Sequence, residues 1–168
     1  MKHLLLLILT GLLLTSTASG QMSQFKALFI YNFAKNVEWP SHMADEEIVI
    51  SVLGSENLAS ELEKLARMRK VGNRSLTIEK VTNPDEIQDA HIVYLSDSKS
   101  SLMPVVASYQ EGQPVLLVAD KKGLCNQGAG ISFFTSGGKL KFEVCPRHIR
   151  EHGLKVSQRL ISLGEEIR

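Results

Sequence analysis

No apolar run in this 168-residue chain is long enough to cross a bilayer. The longest, Leu4 to Leu14, is broken by Thr10 and Gly11 and amounts to about ten apolar residues, whereas a spanning helix needs ~20. Neither sign of charge is in surplus, since 19 Lys and Arg stand against 18 Asp and Glu. That balance argues against nucleic acid or an acidic membrane as partner, because both draw on a basic excess. A glycine-rich phosphate loop is also missing. Gly54-Ser55-Glu56-Asn57 supplies one glycine and an acid, and Gly128-Ala129-Gly130 leads into a β-prone run instead of a helix, so neither offers the N–H cluster and dipole that hold phosphate. No G-x-S-x-G turn occurs, and the chain holds only two thiols, Cys125 and Cys145. These absences lead us to expect no cofactor, no metal and no catalytic group.

What the N-terminus does have is the layout of an export signal. Lys2-His3 precedes the apolar run, and small polar residues follow from Thr15 to Gly20, matching the n-region, h-region and cleavage zone of a secretory signal. Ala18-Ser19-Gly20 places cleavage before Gln21, or after Ala18 as the second choice. The alternatives are an uncleaved anchor or a buried N-terminal helix. No cysteine lies near the junction, so a freely soluble product is expected over a lipid-tethered one, with no direct insertion into the membrane. Removal of residues 1–20 leaves 148, with 18 charges of each sign, the size of one domain. In an oxidising compartment the two thiols favour one Cys125–Cys145 disulfide over two separate buried cysteines.

Along residues 21–168, apolar spacing alternates between two periods. Phe25, Leu28, Phe29, Phe33 and Val37 recur every three or four positions, which predicts an amphipathic helix over 23–37 that Trp39-Pro40 ends. Ile48 to Leu53 reads as a buried strand, Gly54-Ser55 as a tight turn, and Leu58, Leu62, Leu65 and Ala66 as the inner face of a helix. Further strands are predicted at Leu76–Val81, Ala90–Leu95 and Val115–Val118, with a weaker helix across Leu102–Tyr109. Ile131–Phe134 and Leu140–Val144 flank Gly137-Gly138, a hairpin signal. Leu154, Val156, Leu160, Ile161 and Leu163 give a closing amphipathic stretch. Strands alternating with helices imply an α/β fold, a three-layer α/β/α sandwich of Rossmann-like type with a mostly parallel sheet and an antiparallel edge hairpin. In such sheets ligands favour the carboxyl ends of the strands, here Gly54-Ser55, Ser96-Asp97-Ser98 and Asp120. Gly, Ser and Asp are also ordinary turn and cap residues.

One sharp chemical motif stands out. His148-Ile149-Arg150-Glu151-His152 fits the H-x-x-E-H pattern of inverted zincins. Pro146 and Gly153 confine it to a very short helix and no third ligand is apparent, so a solvated helix face is the better reading.

The stretch Lys26-Ala27-Leu28-Phe29-Ile30-Tyr31-Asn32-Phe33-Ala34-Lys35-Asn36-Val37-Glu38-Trp39-Pro40 is the most distinctive in the chain. It resembles the opening motif of the YfiR-like periplasmic regulators. Ile50–Gly54, Ala90–Ser96 and Pro114–Asp120 resemble that family's first, third and fourth strands, and Gly130–Phe134, Leu140–Val144 and Gly153–Ser157 agree in order. The resemblance implies a periplasmic repressor of a membrane-anchored diguanylate cyclase, acting through the cyclase's periplasmic domain. Such a protein keeps cyclic di-GMP low, and stress or redox change releases the restraint and promotes biofilm. It also implies a homodimer and a disulfide that supports folding. Regulatory members can carry more than two cysteines, whereas this chain can form only one bridge. Within the motif, the aromatics serve either as core, with Asn32 satisfying a loop carbonyl and Trp39 closing the helix end, or as a partner's anchor points. The candidate partner or ligand contacts are therefore Tyr31, Asn32, Glu38, Trp39, Gly54, Ser96 and Asp120. A small-ligand sensor that uses the strand-end crevice and reports to another membrane receptor is the alternative function.

Overall fold

The computed structural model describes residues 20–41 and 46–167. The signal-peptide reading covers residues 1–20, of which 1–19 lie outside the described residues. The first described element is a helix, α1, over residues 20–36. Ala27, Ile30, Phe33 and Ala34 are fully enclosed along one stripe, as the three-and-four spacing requires. Burying a side chain such as Ile30 or Phe33 stabilises by roughly 1.5–3 kcal/mol. The helix stops one residue before its predicted end because Val37 turns into a two-residue strand, β1 (Val37–Glu38), which pairs antiparallel with β8 (Lys155–Val156).

The main sheet contains β2 (Glu47–Leu53), β3 (Ser75–Val81), β4 (Ile92–Leu95), β5 (Leu116–Ala119), β6 (Ile131–Ser136), β7 (Lys139–Val144) and β9 (Glu165–Glu166). Their spatial order is β3-β2-β4-β5-β6-β7-β9. The strands from β3 through β6 pair in parallel, β6 and β7 form the antiparallel hairpin, and β9 adds in parallel to β7. Gly137 and Gly138 carry φ of +57° and +72° at the hairpin turn, the mirror-image geometry that a two-residue loop between right-twisted strands needs. Taken in chain order, the parallel strands follow the flavodoxin-like arrangement 2-1-3-4-5, whose order reverses between β2 and β4.

Alternate side chains feed two cores. Ile50, Val52, Tyr94, Val118 and Phe133 point into the layer that holds α1 and α2 (Glu56–Met68). Leu53, Val93, Leu95, Leu117 and Ala119 point into the opposite layer with Met103 and Val106 of α3 (Met103–Tyr109). Two-sided burial explains why β4 and β5 read as continuous apolar runs. α2 begins where Ser55 Oγ accepts from the Leu58 N–H at 3.4 Å, a standard N-cap. The sandwich and its edge hairpin are therefore as the periodicity implies.

The C-terminal segment differs from its pattern. After α4 (Pro146–Glu151), the closing stretch starts as β8, passes through a single short helix, α5 (Gln158–Leu163), and ends as β9. Lys155 and Val156 adopt extended backbone because the end of α1 offers β1 as a partner, a tertiary effect that overrides helical spacing. Cys125, in a one-turn helix, is disulfide-bonded to Cys145 at the head of α4, with Cα atoms 5.9 Å apart. Among the described residues, no helix is long and apolar enough to cross a membrane.

Candidate functional site

The carboxyl ends of the parallel strands hold three of the candidate residues, and two of them meet. Gly54 ends β2 with φ +85°, and a Cβ there would lie 2.6 Å from both Lys99 Cγ and Ser96 Oγ. The glycine is thus needed for its backbone and for the close approach of its neighbours. Ser96 is buried, its Oγ lies 2.9 Å from Ser98 Oγ, and its N–H donates to the Leu53 carbonyl at 3.0 Å. Beside them lies a cleft of about 280 Å³ lined by Gly54, Ser55, Glu56, Lys80, Thr82 and Lys99. It sits next to the point where strand order reverses. Lys80 lies 3.2 Å from Glu63 and 3.3 Å from Glu56; hydrogen bonds to Glu63 and then Glu56 hold its ammonium above the usual lysine range. At the rim, Glu86 accepts from the Thr82 N–H, the Thr82 hydroxyl and the Asn83 amide. Those donors, the Thr82 N–H foremost, pull its carboxyl down to about 2.

Asp120 does something else. One of its oxygens, Oδ2, accepts from Lys26 Nζ at 2.6 Å and from the Tyr94 hydroxyl at 2.7 Å. Both ion-pair side chains are only 17% exposed. Burial first, and the Asp120 carboxylate second, push the Tyr94 hydroxyl well above the ordinary tyrosine range, so it stays a proton donor. The carboxylate is an anchor that ties the first half of α1 to the sheet. Nothing in the sequence pattern pairs Lys26 with Asp120, 94 positions apart; only the topology brings them together.

The helix-motif candidates scatter. Tyr31 is buried and donates to the Lys70 carbonyl at 3.1 Å, with the Lys35 and Arg69 cations each 5.6 Å from its ring. Asn32 is exposed, so it does not serve the loop carbonyl that a core role would assign it. Its own carbonyl accepts from Asn36 Nδ2 at 2.8 Å. Glu38 is exposed opposite Lys155. Trp39 is half-buried, edge-on to His91 at 5.6 Å and beneath Arg74 at 5.7 Å. Its indole N–H is buried without an acceptor among the described residues. α1 runs against the strand direction, so Trp39 closes the amino end of the sheet while Asp120 and Ser96 mark the carboxyl end. These candidates form no single site.

The H-x-x-E-H segment does not converge on a metal. His148 Nδ1 donates to Glu151 at 2.8 Å, and His152, at the end of α4, donates from Nδ1 to the Gln113 carbonyl at 2.8 Å. No cluster of three or more His, Cys, Asp or Glu able to hold a metal occurs among the described residues.

The distinctive α1 segment opens a match that runs nearly the whole length of the fold. The family model described as YfiR/HmsC-like matches residues 23–165. The chain belongs to that family. Membership supports a periplasmic regulatory role over an enzymatic one. A search of the curated proteins found no match. Among solved structures, the chain is similar to the ABC domain in complex with L-Trp from Streptococcus pneumonia, at 11% identity and a TM-score of 0.53. The match covers 72% of this chain and 55% of that one, so the chain spans little more than half of its length. At that identity the likeness concerns the fold alone. In this YfiR/HmsC-like chain, the matched region takes in both ends of the sheet, the α1 helix and the disulfide.

Proposed function

We propose that this protein is a periplasmic regulator that binds the periplasmic domain of an inner-membrane diguanylate cyclase and represses it, lowering cyclic di-GMP and biofilm formation. Membership of the YfiR/HmsC-like family over residues 23–165 is the observation that carries this reading. In the proposal, residues 1–20 are an export signal and residues 21–168 act as one domain. The protein needs no chemistry of its own. Binding one of two conformations of a sensor domain shifts their equilibrium by the difference in affinity. A chain outside the cytoplasm acts on cytoplasmic signalling through a protein that spans the membrane.

Deleting the gene should raise cyclic di-GMP, and crosslinking in cells should capture an inner-membrane cyclase. Unchanged cyclic di-GMP together with no captured cyclase would sink this reading. The cleft at Gly54 and Lys99 favours a second reading, a small-ligand sensor. Melting shifts across a panel of nucleotides and amino acids separate the two, because a ligand bound to the native state raises apparent stability.

A further inference from the structure

The solvent-facing flank of α1 carries a groove that includes Asn32 and none of the other candidate contacts. One depression, of about 260 Å³, lies between α1 and α5; another, of about 500 Å³, lies between α1 and the tip of the β6–β7 hairpin. Phe29 lines both. From Met22 to Asn36 the wall runs along α1 for about 21 Å at 1.5 Å per residue, enough to seat about four turns of a second helix.

The floor is aromatic. Phe142 lies edge-on to Phe29 at 5.5 Å and to Phe33 at 5.1 Å. The far wall is held in place. The Ser157 N–H donates to the Asn36 carbonyl at 3.0 Å, and Ser157 Oγ both donates to Asn36 Oδ1 at 3.1 Å and caps α5 by accepting from the Leu160 N–H at 3.2 Å. At the margins two large apolar side chains stand in water, Phe25 at 45% and Leu163 at 66% exposed. Side chains of this kind around a concave apolar floor mark an interaction surface.

Charge selects the occupant. The ionisable residues lining the groove are Lys35 and Arg159 at one end and Lys139 at the other, with no Asp or Glu in either depression. None of the ion pairs found among the described residues involves these three cations. A second copy of this chain, docked through the same face about a two-fold axis, would set cations against cations, and like-charge juxtaposition costs several kcal/mol. The geometry points to a different partner: an amphipathic helical segment that lays apolar side chains over Phe29 and presents carboxylates to Lys35, Arg159 and Lys139. The inference does not depend on whether that segment belongs to a cyclase.

The test uses two helical peptides of about 16 residues, each with Leu and Phe on one face, one carrying glutamate on its flanks and the other lysine at the same positions. Titrated into the protein, the acidic peptide should shift the amide signals of α1, α5 and the Gly137-Gly138 turn. It should also bind at least about tenfold more tightly than the lysine peptide, with the gap narrowing as salt rises. The exposed pair Lys35→Glu and Arg159→Glu, introduced together, should reverse the preference without changing the melting temperature. Equal affinity for the two peptides, no saturable binding, shifts confined to other elements, or an unreversed preference would each overturn the inference. Concentration-dependent broadening of the same amides without peptide would assign the face to a second copy. Displacement of the acidic peptide by phosphatidylglycerol vesicles would assign it to a membrane surface. Either of these results would also overturn it.

Discussion

Replacing Asp120 with alanine distinguishes an anchor from a ligand contact. The Tyr94 side chain is 1% exposed, and its hydroxyl would lose the acceptor it now has at 2.7 Å. Leaving a buried donor unsatisfied costs roughly 1–3 kcal/mol. Lys26, only 17% exposed, would lose its carboxylate; the roughly 1 kcal/mol at the upper end for an exposed pair is a lower bound on that loss. Together these give about 3 kcal/mol or more, and at about 2–4 °C per kcal/mol for a domain of this size the melting temperature should fall by about 6–12 °C or more. Thermal and urea unfolding of Asp120→Ala, Tyr94→Phe and the double variant complete a cycle. Tyr94→Phe alone should cost about 1 kcal/mol. In the Asp120→Ala background it should cost almost nothing, because the hydroxyl it removes is already stranded. The expected coupling is therefore about 1 kcal/mol. Asp120→Asn keeps an oxygen for Tyr94 and should fall between wild type and alanine. Effects that add to within about 0.5 kcal/mol, or an Asp120→Ala protein as stable as wild type, would refute the anchor and return Asp120 to the list of free strand-end groups.

The Cys125–Cys145 bridge closes a separation of 20 residues. Removing both cysteines, or reducing the bridge, should therefore cost about 3 kcal/mol in the chain-entropy account, read as a lower urea midpoint in reductant for wild type and no response in the Ala/Ala variant. Gly54→Ala should destabilise by roughly 1–2 kcal/mol from left-handed backbone alone, and by more if Lys99 and Ser96 do not move off the new Cβ; Gly128→Ala, with only Ala107 Cβ at 2.8 Å to displace, is the comparison. Glu86 has a folded pKa of about 2 against an ordinary 4.5. Its share of stability is present above the unfolded value and is lost as pH falls through the folded one. Glu86→Gln should flatten the acid limb of the stability profile between those limits and leave the wild-type advantage constant above them.

The parts of the fold visible in the sequence are those set by local periodicity. The α1 stripe, the two-sided apolar runs of β4 and β5, and the hairpin at Gly137-Gly138 could be placed because burial and backbone geometry leave a repeating mark on the residues themselves. Elements that exist only because something distant pairs with them could not. Lys155 and Val156 have no strand pattern of their own and become β8 only against Val37 and Glu38. The same limit governs the sites. Ser96 and Gly54 were identifiable as strand ends, yet their mutual contact depends on β4 lying beside β2, an order that periodicity does not encode. Lys99 and Arg159 carry no signal, and Lys26 none beyond its place at the head of the motif, because a single basic residue at a helix margin looks solvated until its neighbours are known. Asn32 is legible as a position, but its exposure, which removes the core role and leaves the contact role open, is not, since an exposed amide and a satisfied core amide are spelled alike.

The helix segment at the head of the family match has structural work at most of its positions. Ala27, Ile30, Phe33, Ala34 and Val37 are enclosed, Lys26 ties the helix to Asp120, Tyr31 holds the loop carbonyl of Lys70, and Asn36 holds α5 through Ser157. Residues committed to packing identify a fold and say little about who binds it, because changing them to suit a new partner would cost stability first. What stays free on this part of the molecule is the outer wall, Asn32 and Lys35 on α1 and Arg159 on α5, all exposed. Charges there can be exchanged with little effect on stability. A chain with the same enclosed stripe and a carboxylate at position 35 or 159 would present the opposite field over the same aromatic floor. Two regulators of one fold would then be kept from each other's partners by repulsion at the groove, with the buried half of the motif unchanged.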